Sequence, residues 1–353
     1  MTVDVAIVGY GQVPSVRSTE ITETQMVLDV TQQALGMAGV DRHDIGFTVS
    51  GSCDYLAGQA FAFVQTIEAI GAWPPISESH VEMDGAWAMY EGWTRLQEGD
   101  IDLVLVYCHG RSSPGQPWQV WPLQLDPYHL APLGLDPWSL AALQARAVLD
   151  AGLATERDFA EIVARNRANA VGNEYAQVSG KFDVDALLAE PYVREPLRRH
   201  DLPPISDGAA AVVLAAGDKA ASLVDRPAWI SGIDHRIDIH QPGMRDLTVS
   251  PSTTLAAEGA GVGTGAVQVA ELSAPFSPQE VVVRNALGLD ESVEINPSGG
   301  ALAANPVMVT GLVRVIEAAR QITEHGRDRV LAHATSGQAL QQNLVCILEG
   351  SRA

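Results

Sequence analysis

The sequence predicts an α/β protein made of two halves, and three observations carry that reading. Short β-branched runs bounded by glycine alternate with longer segments whose apolar residues recur at helical spacing. The chain has 353 residues, more than the ~250–300 at which one hydrophobic core stops growing. After roughly residue 222 the strand and helix order starts again. The expected units are therefore 1–222 and 223–353, with a loop insertion at about 111–200 in the first. Alternation of this kind implies a parallel or mixed sheet covered by helices.

In chain order, Val3–Val8, Phe47–Gly51, Leu103–Cys108 and Ala209–Ala215 read as buried strands. Thr24–Gly39 and Phe61–Gly71 read as helices that stop on glycine, and Asp84–Glu98 as a helix whose acidic first residue suits the N-terminal dipole. In the second half, Ala228–Ile233, Gln268–Leu272, Ser292–Ile295, Val330–Ala334 and Asn343–Leu348 are the strands, with Val307–Glu324 the one long helix among them. Pro114–Trp138, rich in proline and tryptophan, is too apolar for a solvated loop and is expected to pack over a pocket or against another subunit.

Composition excludes several function classes. Hydrophobic residues make up 46% and charged residues 18%, too apolar a balance for intrinsic disorder. A net charge of −21 disfavours nucleic acid as a partner. No segment approaches the ~20 apolar residues of a membrane span. Met1-Thr2-Val3-Asp4 lacks the pattern of a signal peptide, so a cytoplasmic location is expected. Cys53, Cys108 and Cys346 form neither a disulfide framework nor a metal-ligand spacing, and no metal is expected. Gly9-Tyr10-Gly11 lacks the third glycine of a dinucleotide loop. The alternating run His235–His240 reads as an exposed edge or loop, not a metal site.

Several segments together carry a family resemblance. Ser206–Ala215 (SDGAAAVVLA) resembles a strand of thiolases, and Asn296-Pro297-Ser298-Gly299-Gly300 the NPSGG turn of thiolases of the sterol-carrier-protein type. Ala339–Leu344 (ALQQNL), and Phe276 with Gln279-Glu280 and Ala286-Leu287-Gly288-Leu289, are similar to further segments of that group. The resemblance implies a five-layer αβαβα fold of two pseudo-equivalent halves. It also implies where the chemistry departs. Counting back from Gly99-Asp100 puts Glu82-Met83-Asp84-Gly85 on the family's nucleophile motif, so Glu82 stands where a cysteine is expected. Ala304-Asn305-Pro306 stands where the family has GHP, so Asn305 replaces the activating histidine, and Ser273 stands where a histidine or asparagine precedes the D-x-F segment.

Without a thiolate the covalent acyl-enzyme route has no nucleophile. Cysteine-less relatives resemble the "lipid-transfer" thiolase homologues, and this resemblance implies a retro-aldol lyase acting on a β-hydroxyacyl-CoA in steroid side-chain degradation. It further implies a complex with a small protein carrying a zinc ribbon and an OB-fold, and a dimer, of two copies or with a paralogue, paired through the N-terminal sheet near Leu103–Cys108 or the apolar segment before Glu82. Such a reaction needs a base for the β-hydroxyl, an oxyanion site for the enolate and an acid for the α carbon. No cofactor is required, since the acyl-CoA thioester is the electron sink. Candidate bases and acids are Tyr55, Glu82, Asp84, His109 and His129, and Asn305 is the oxyanion donor. Ser298, Gly299, Gly300, Ser336 and Gly337 are the candidate acyl-CoA contacts. Helix capping by Asp84, packing by Tyr55 and loop roles for the two histidines are the competing structural readings. A non-catalytic scaffold subunit is the competing function.

Overall fold

The computed structural model describes residues 3–352, the side chains of Pro117 and Trp118 excepted. Met1 and Thr2, on which the signal-peptide reading partly falls, lie outside the described residues.

Ten strands form the main sheet: β1 (Val5–Gln12), β2 (Phe47–Gly51), β3 (Glu78–Val81), β4 (Leu103–Arg111), β5 (Asp207–Ala216), β6 (Ala228–Ile237), β7 (Val269–Leu272), β8 (Glu294–Ile295), β9 (Arg329–Ser336) and β10 (Gln342–Glu349). Their spatial order is β3-β2-β4-β5-β1-β6-β10-β9-β7-β8. Each run of five strands follows the same order, with its last strand antiparallel to both neighbours. The two runs meet where Ala6 and Ile7 pair with Trp229 and Ala228. Every residue of β1 and β5 is buried, which explains their continuous apolar reading.

Helices of nine residues or more are α1 (Glu23–Ala38), α2 (Gly85–Leu96), α3 (Pro137–Asp150), α4 (Glu156–Asn169), α5 (Pro251–Gly259), α6 (Ser277–Leu287) and α7 (Thr310–Thr323). The largest apolar cluster sets Ala86, Met89 and Leu96 of α2 and Leu312, Ile316 and Ile322 of α7 between Val106 and Val212 of one half-sheet and Val330 and Cys346 of the other. On the far face of the first half-sheet, Val27, Val30 and Ala34 of α1 pack on Leu105, Tyr107 and Val213. Beyond the second, Ala256 of α5 and Val283 of α6 pack on Leu331, Val345 and Ile347. The layers are therefore helix, sheet, helix, sheet, helix, as expected. Among the described residues no helix is long and apolar enough to cross a membrane, and no group of three or more His, Cys, Asp or Glu side chains is arranged to hold a metal.

Four local expectations change. Phe61–Gly71 is not one helix: it breaks into a single turn, Val64–Ile67, and a 3₁₀ turn, Glu68–Ile70. Strand β3 has only four residues, two of them charged or titratable, and carries no period-2 signal. Leu103–Arg111 lies inside the sheet between β2 and β5, so its backbone groups are already paired and it offers no edge to a second subunit. The free edge of the first half is β3. Val307–Glu324 is also not the one long helix of its half, since α5 and α6 precede it.

Candidate active site

The ends of α2 and α7 converge on one buried carboxylate. Asp84 precedes α2 and caps it, Oδ1 accepting from Ala86 N–H at 2.9 Å. The same side chain reaches across to the other half, where Gly311 N–H donates to Oδ2 at 2.9 Å and Leu312 N–H to Oδ1 at 3.1 Å. Helix α7 has no side-chain cap of its own: its N-cap residue is Val309. Asp84 fills that role in trans, satisfying first-turn amides that would otherwise be orphaned. The approach needs glycine at 311, where a Cβ would lie 2.4 Å from Asp84 Oδ1. Burial pushes the Asp84 carboxyl up while the three amide donors pull it down.

Beside this junction lies a cavity of about 440 Å³. Glu82, Asp84, Asn305 and Thr310 line it from the two helix ends, and Ser336 and Gly337 from the β9–β10 turn. Trp121, Gln124, Pro137 and Trp138 add a mostly apolar wall, so the Pro114–Trp138 stretch packs over a pocket. Among the described residues no lysine or arginine lines it. Arg245 stands behind the wall, its guanidinium donating to the carbonyls of Gln338 and Ala339. Those contacts brace a turn in which Gly337, Ala339 and Leu340 all have positive φ.

Glu82 is half-exposed and pinned at one end: Asp54 N–H donates to Oε1 at 2.6 Å, and His80 Nε2 lies 3.4 Å from Oε2. Cys53 opens on the same cavity. Burial, reinforced by the Glu82 charge, pushes its thiol up to about 11, so it is not a thiolate near neutrality. Asn305 is buried, its N–H donating to Ser206 Oγ at 3.1 Å and its Oδ1 lying 3.0 Å from the Thr310 hydroxyl. Its Nδ2 finds no acceptor among the described residues.

The other candidate residues stand elsewhere. Tyr55 is exposed on the short turn Asp54–Ala57. His129 is exposed and its Nδ1 lies 2.9 Å from Asp126, whose carboxylate also accepts its N–H. His109 shares the face of β4 that carries Tyr107, because side chains alternate along a strand. Its imidazole therefore lies toward α1 and Glu23, and burial lowers it to about 4. Ser298 is fully engaged: its N–H and Oγ donate to Glu271 at 3.0 and 2.6 Å, and Arg314 donates to its Oγ at 2.6 Å. Gly299, at φ +104°, packs where a Cβ would meet Ala170 at 2.6 Å. The turn through Gly300 borders an internal void of about 10 Å³ and not the large cavity, so its residues serve the fold here. Sequence reasoning named Cys53 and His240 without giving either a role in the site and did not name Thr310, yet all three line the cavity. The signal available for Thr310 was its place directly before a glycine at a helix start.

No family model matches the chain. It is 25% identical over 367 residues to an acetyl-CoA acetyltransferase of Methanothermobacter thermautotrophicus, covering 95% of this chain and 94% of that one. It is 29% identical over 214 residues to sterol carrier protein 2 of Gallus gallus, covering 53% of this chain and 39% of that protein. A solved structure described as the Ltp2-ChsH2(DUF35) aldolase superposes with a TM-score of 0.83 at 20% identity, covering 99% of this chain and 98% of that one. The five-layer arrangement is the thiolase fold.

Proposed function

For a thiolase-like chain of the sterol-carrier and lipid-transfer kind with a carboxylate in the nucleophile's place, we propose carbon–carbon lyase activity on a β-hydroxyacyl-CoA by retro-aldol cleavage. The observation that carries this reading is the meeting of Glu82 and Asn305 on one cavity. Glu82 is the base. It takes the β-hydroxyl proton, the O–H electrons form the new carbonyl, and the Cα–Cβ bond breaks. Its electron pair passes to the thioester carbonyl, giving an enolate whose oxygen meets Asn305 Nδ2, with the Gly337 turn on the same wall. The proton held on Glu82 returns to Cα, leaving a shortened acyl-CoA and an aldehyde or ketone. The thioester is the electron sink, so the step calls for no resident cofactor.

The apolar wall suits a bulky hydrocarbon such as a steroid side chain. Since no lysine or arginine among the described residues lines the cavity, the counter-charges for the CoA phosphates come from elsewhere. We assign them to a partner chain of the OB-fold and zinc-ribbon type, with the chain itself a dimer or paired with a paralogue in the cytoplasm. The neighbouring aldolase, whose description joins two proteins, supports a heteromeric assembly.

The test incubates the protein, with and without that partner, with a steroidal β-hydroxyacyl-CoA, following acetyl-CoA or propionyl-CoA by mass spectrometry. Release that falls at least ~100-fold in Glu82→Gln and in Asn305→Ala is expected. Stable complexes with no release in any combination would overturn the lyase and leave the scaffold reading.

A further inference from the structure

The hydroxyl of Thr310 has one proton and two oxygens within reach, Asn305 Oδ1 at 3.0 Å and the Pro306 carbonyl at 2.9 Å. The carbonyl is already served. Val309 N–H donates to it at 2.9 Å and Thr310 N–H at 3.0 Å, which fills its two lone pairs. Asn305 Oδ1 has no other donor among the described residues. Giving the hydroxyl proton to Asn305 Oδ1 spares the Pro306 carbonyl a third donor.

From this accounting we infer that Thr310 is a positioning residue that fixes the Asn305 amide with its NH₂ toward the cavity. An Asn side chain has near-identical shape in its two flipped orientations, so only hydrogen bonding decides which atom a ligand meets. With the amide held this way, the cavity presents a donor where a thioester oxygen becomes an oxyanion. With the amide reversed it presents an acceptor, which repels that oxygen. The surroundings hold the arrangement rigidly. Asn305 N–H is tied to Ser206 Oγ, which itself donates to Gln177 at 2.6 Å. Thr310 opens α7, whose next two amides are held by Asp84. Thr310 does not touch the reacting carbons and acts only through Asn305.

The inference rests on the lyase reading for its catalytic consequence, and the test separates the two. Thr310→Val keeps the shape and leaves the Pro306 carbonyl its two N–H donors, while Thr310→Ser keeps the hydroxyl. In protein labelled with ¹⁵N-asparagine, the Asn305 side-chain amide is assigned by its loss in Asn305→Ala. Its resonance is expected to move in Thr310→Val and to return in Thr310→Ser. For cleavage, kcat falls about tenfold or more in Thr310→Val with KM within about twofold, and Thr310→Ser restores it. A resonance unmoved by Thr310→Val, or moved equally by both variants, overturns the inference. An inactive wild type would instead count against the lyase, while the amide resonance still decides the role of Thr310.

Discussion

Removal of the Asp84 carboxylate should unfasten the two halves where the site is built. Asp84→Ala leaves three amides, Ala86, Gly311 and Leu312, without their acceptor. Each buried amide so orphaned costs ~1–3 kcal/mol, while releasing a carboxylate from burial returns several kcal/mol. The net expectation is a loss of about 2–4 kcal/mol, or a fall in Tm of about 3–5 °C for a chain of 353 residues. Asp84→Asn keeps one accepting oxygen but turns an NH₂ toward an amide donor, and should lose roughly half as much. Thermal scanning and urea titration of the three proteins measure this directly. An Asp84→Ala protein melting within about 1 °C of wild type would refute the shared cap. If activity vanished in Asp84→Asn while Tm stayed put, Asp84 would be a base and not a cap.

Other outcomes follow from charge. His109 and His333 are buried and held at about 4, below the 6.5 of free histidine, so each adds stability above pH 6.5 that is lost as pH falls toward 4. Glu271, buried against Arg314 and pushed up to about 7, acts oppositely: its contribution is full below 4.5 and lost as pH rises through 7. Between pH 4.5 and 6.5 the two histidines outweigh the one glutamate, giving a net slope near +1.4 kcal/mol per pH unit from these groups. Urea titrations of wild type and His333→Gln across that range should show the wild type gaining stability over the variant as pH rises, and a difference that stays constant or shrinks counts against the assignment. Because the chain carries −21 and no lysine or arginine among the described residues lines its cavity, acyl-CoA binding to the protein alone should tighten as salt rises, by screening of repulsion. Calorimetry at low and high salt checks this, and weaker binding at high salt would contradict it. Cys53, Cys108 and Cys346, all buried and with raised thiols, should resist alkylation at pH 7 until the protein is denatured. Rapid native labelling of Cys53 would show a thiolate the structure does not support.

Much of the fold was legible because its strands are buried on both faces and therefore read as unbroken apolar runs, as Ala209–Ala215 does. Strand β3 escaped because Glu78-Ser79-His80-Val81 lies on an edge, where neither burial nor alternation is imposed. Helices α3 and α4 escaped because 111–200 reads as a loop insertion around a proline-dense stretch, although Asp136 and the Thr155–Asp158 pair cap their starts. Within the site, Glu82, Asp84, Asn305, Ser336 and Gly337 line one cavity; the first three were placed by motif spacing and the last two by a glycine turn. His109 was misplaced by one step of the strand alternation: position at a strand end was readable, but which face its imidazole takes was not. Ser298 looked like a ligand contact because a hydroxyl beside two glycines is the same pattern whether it meets a substrate or, as here, a buried Glu271–Arg314 pair. The role of Thr310 depends on how many donors one carbonyl already has, which no linear pattern records.

The central claim is that the cavity holds a thioester enolate without a covalent acyl-enzyme. Its most direct test runs cleavage of a β-hydroxyacyl-CoA in D₂O and reads both product and protein by intact mass. The expected result is a shortened acyl-CoA carrying one deuterium at Cα per turnover, with the protein mass unchanged. An acyl adduct on the chain, or a product without deuterium at Cα, would contradict it.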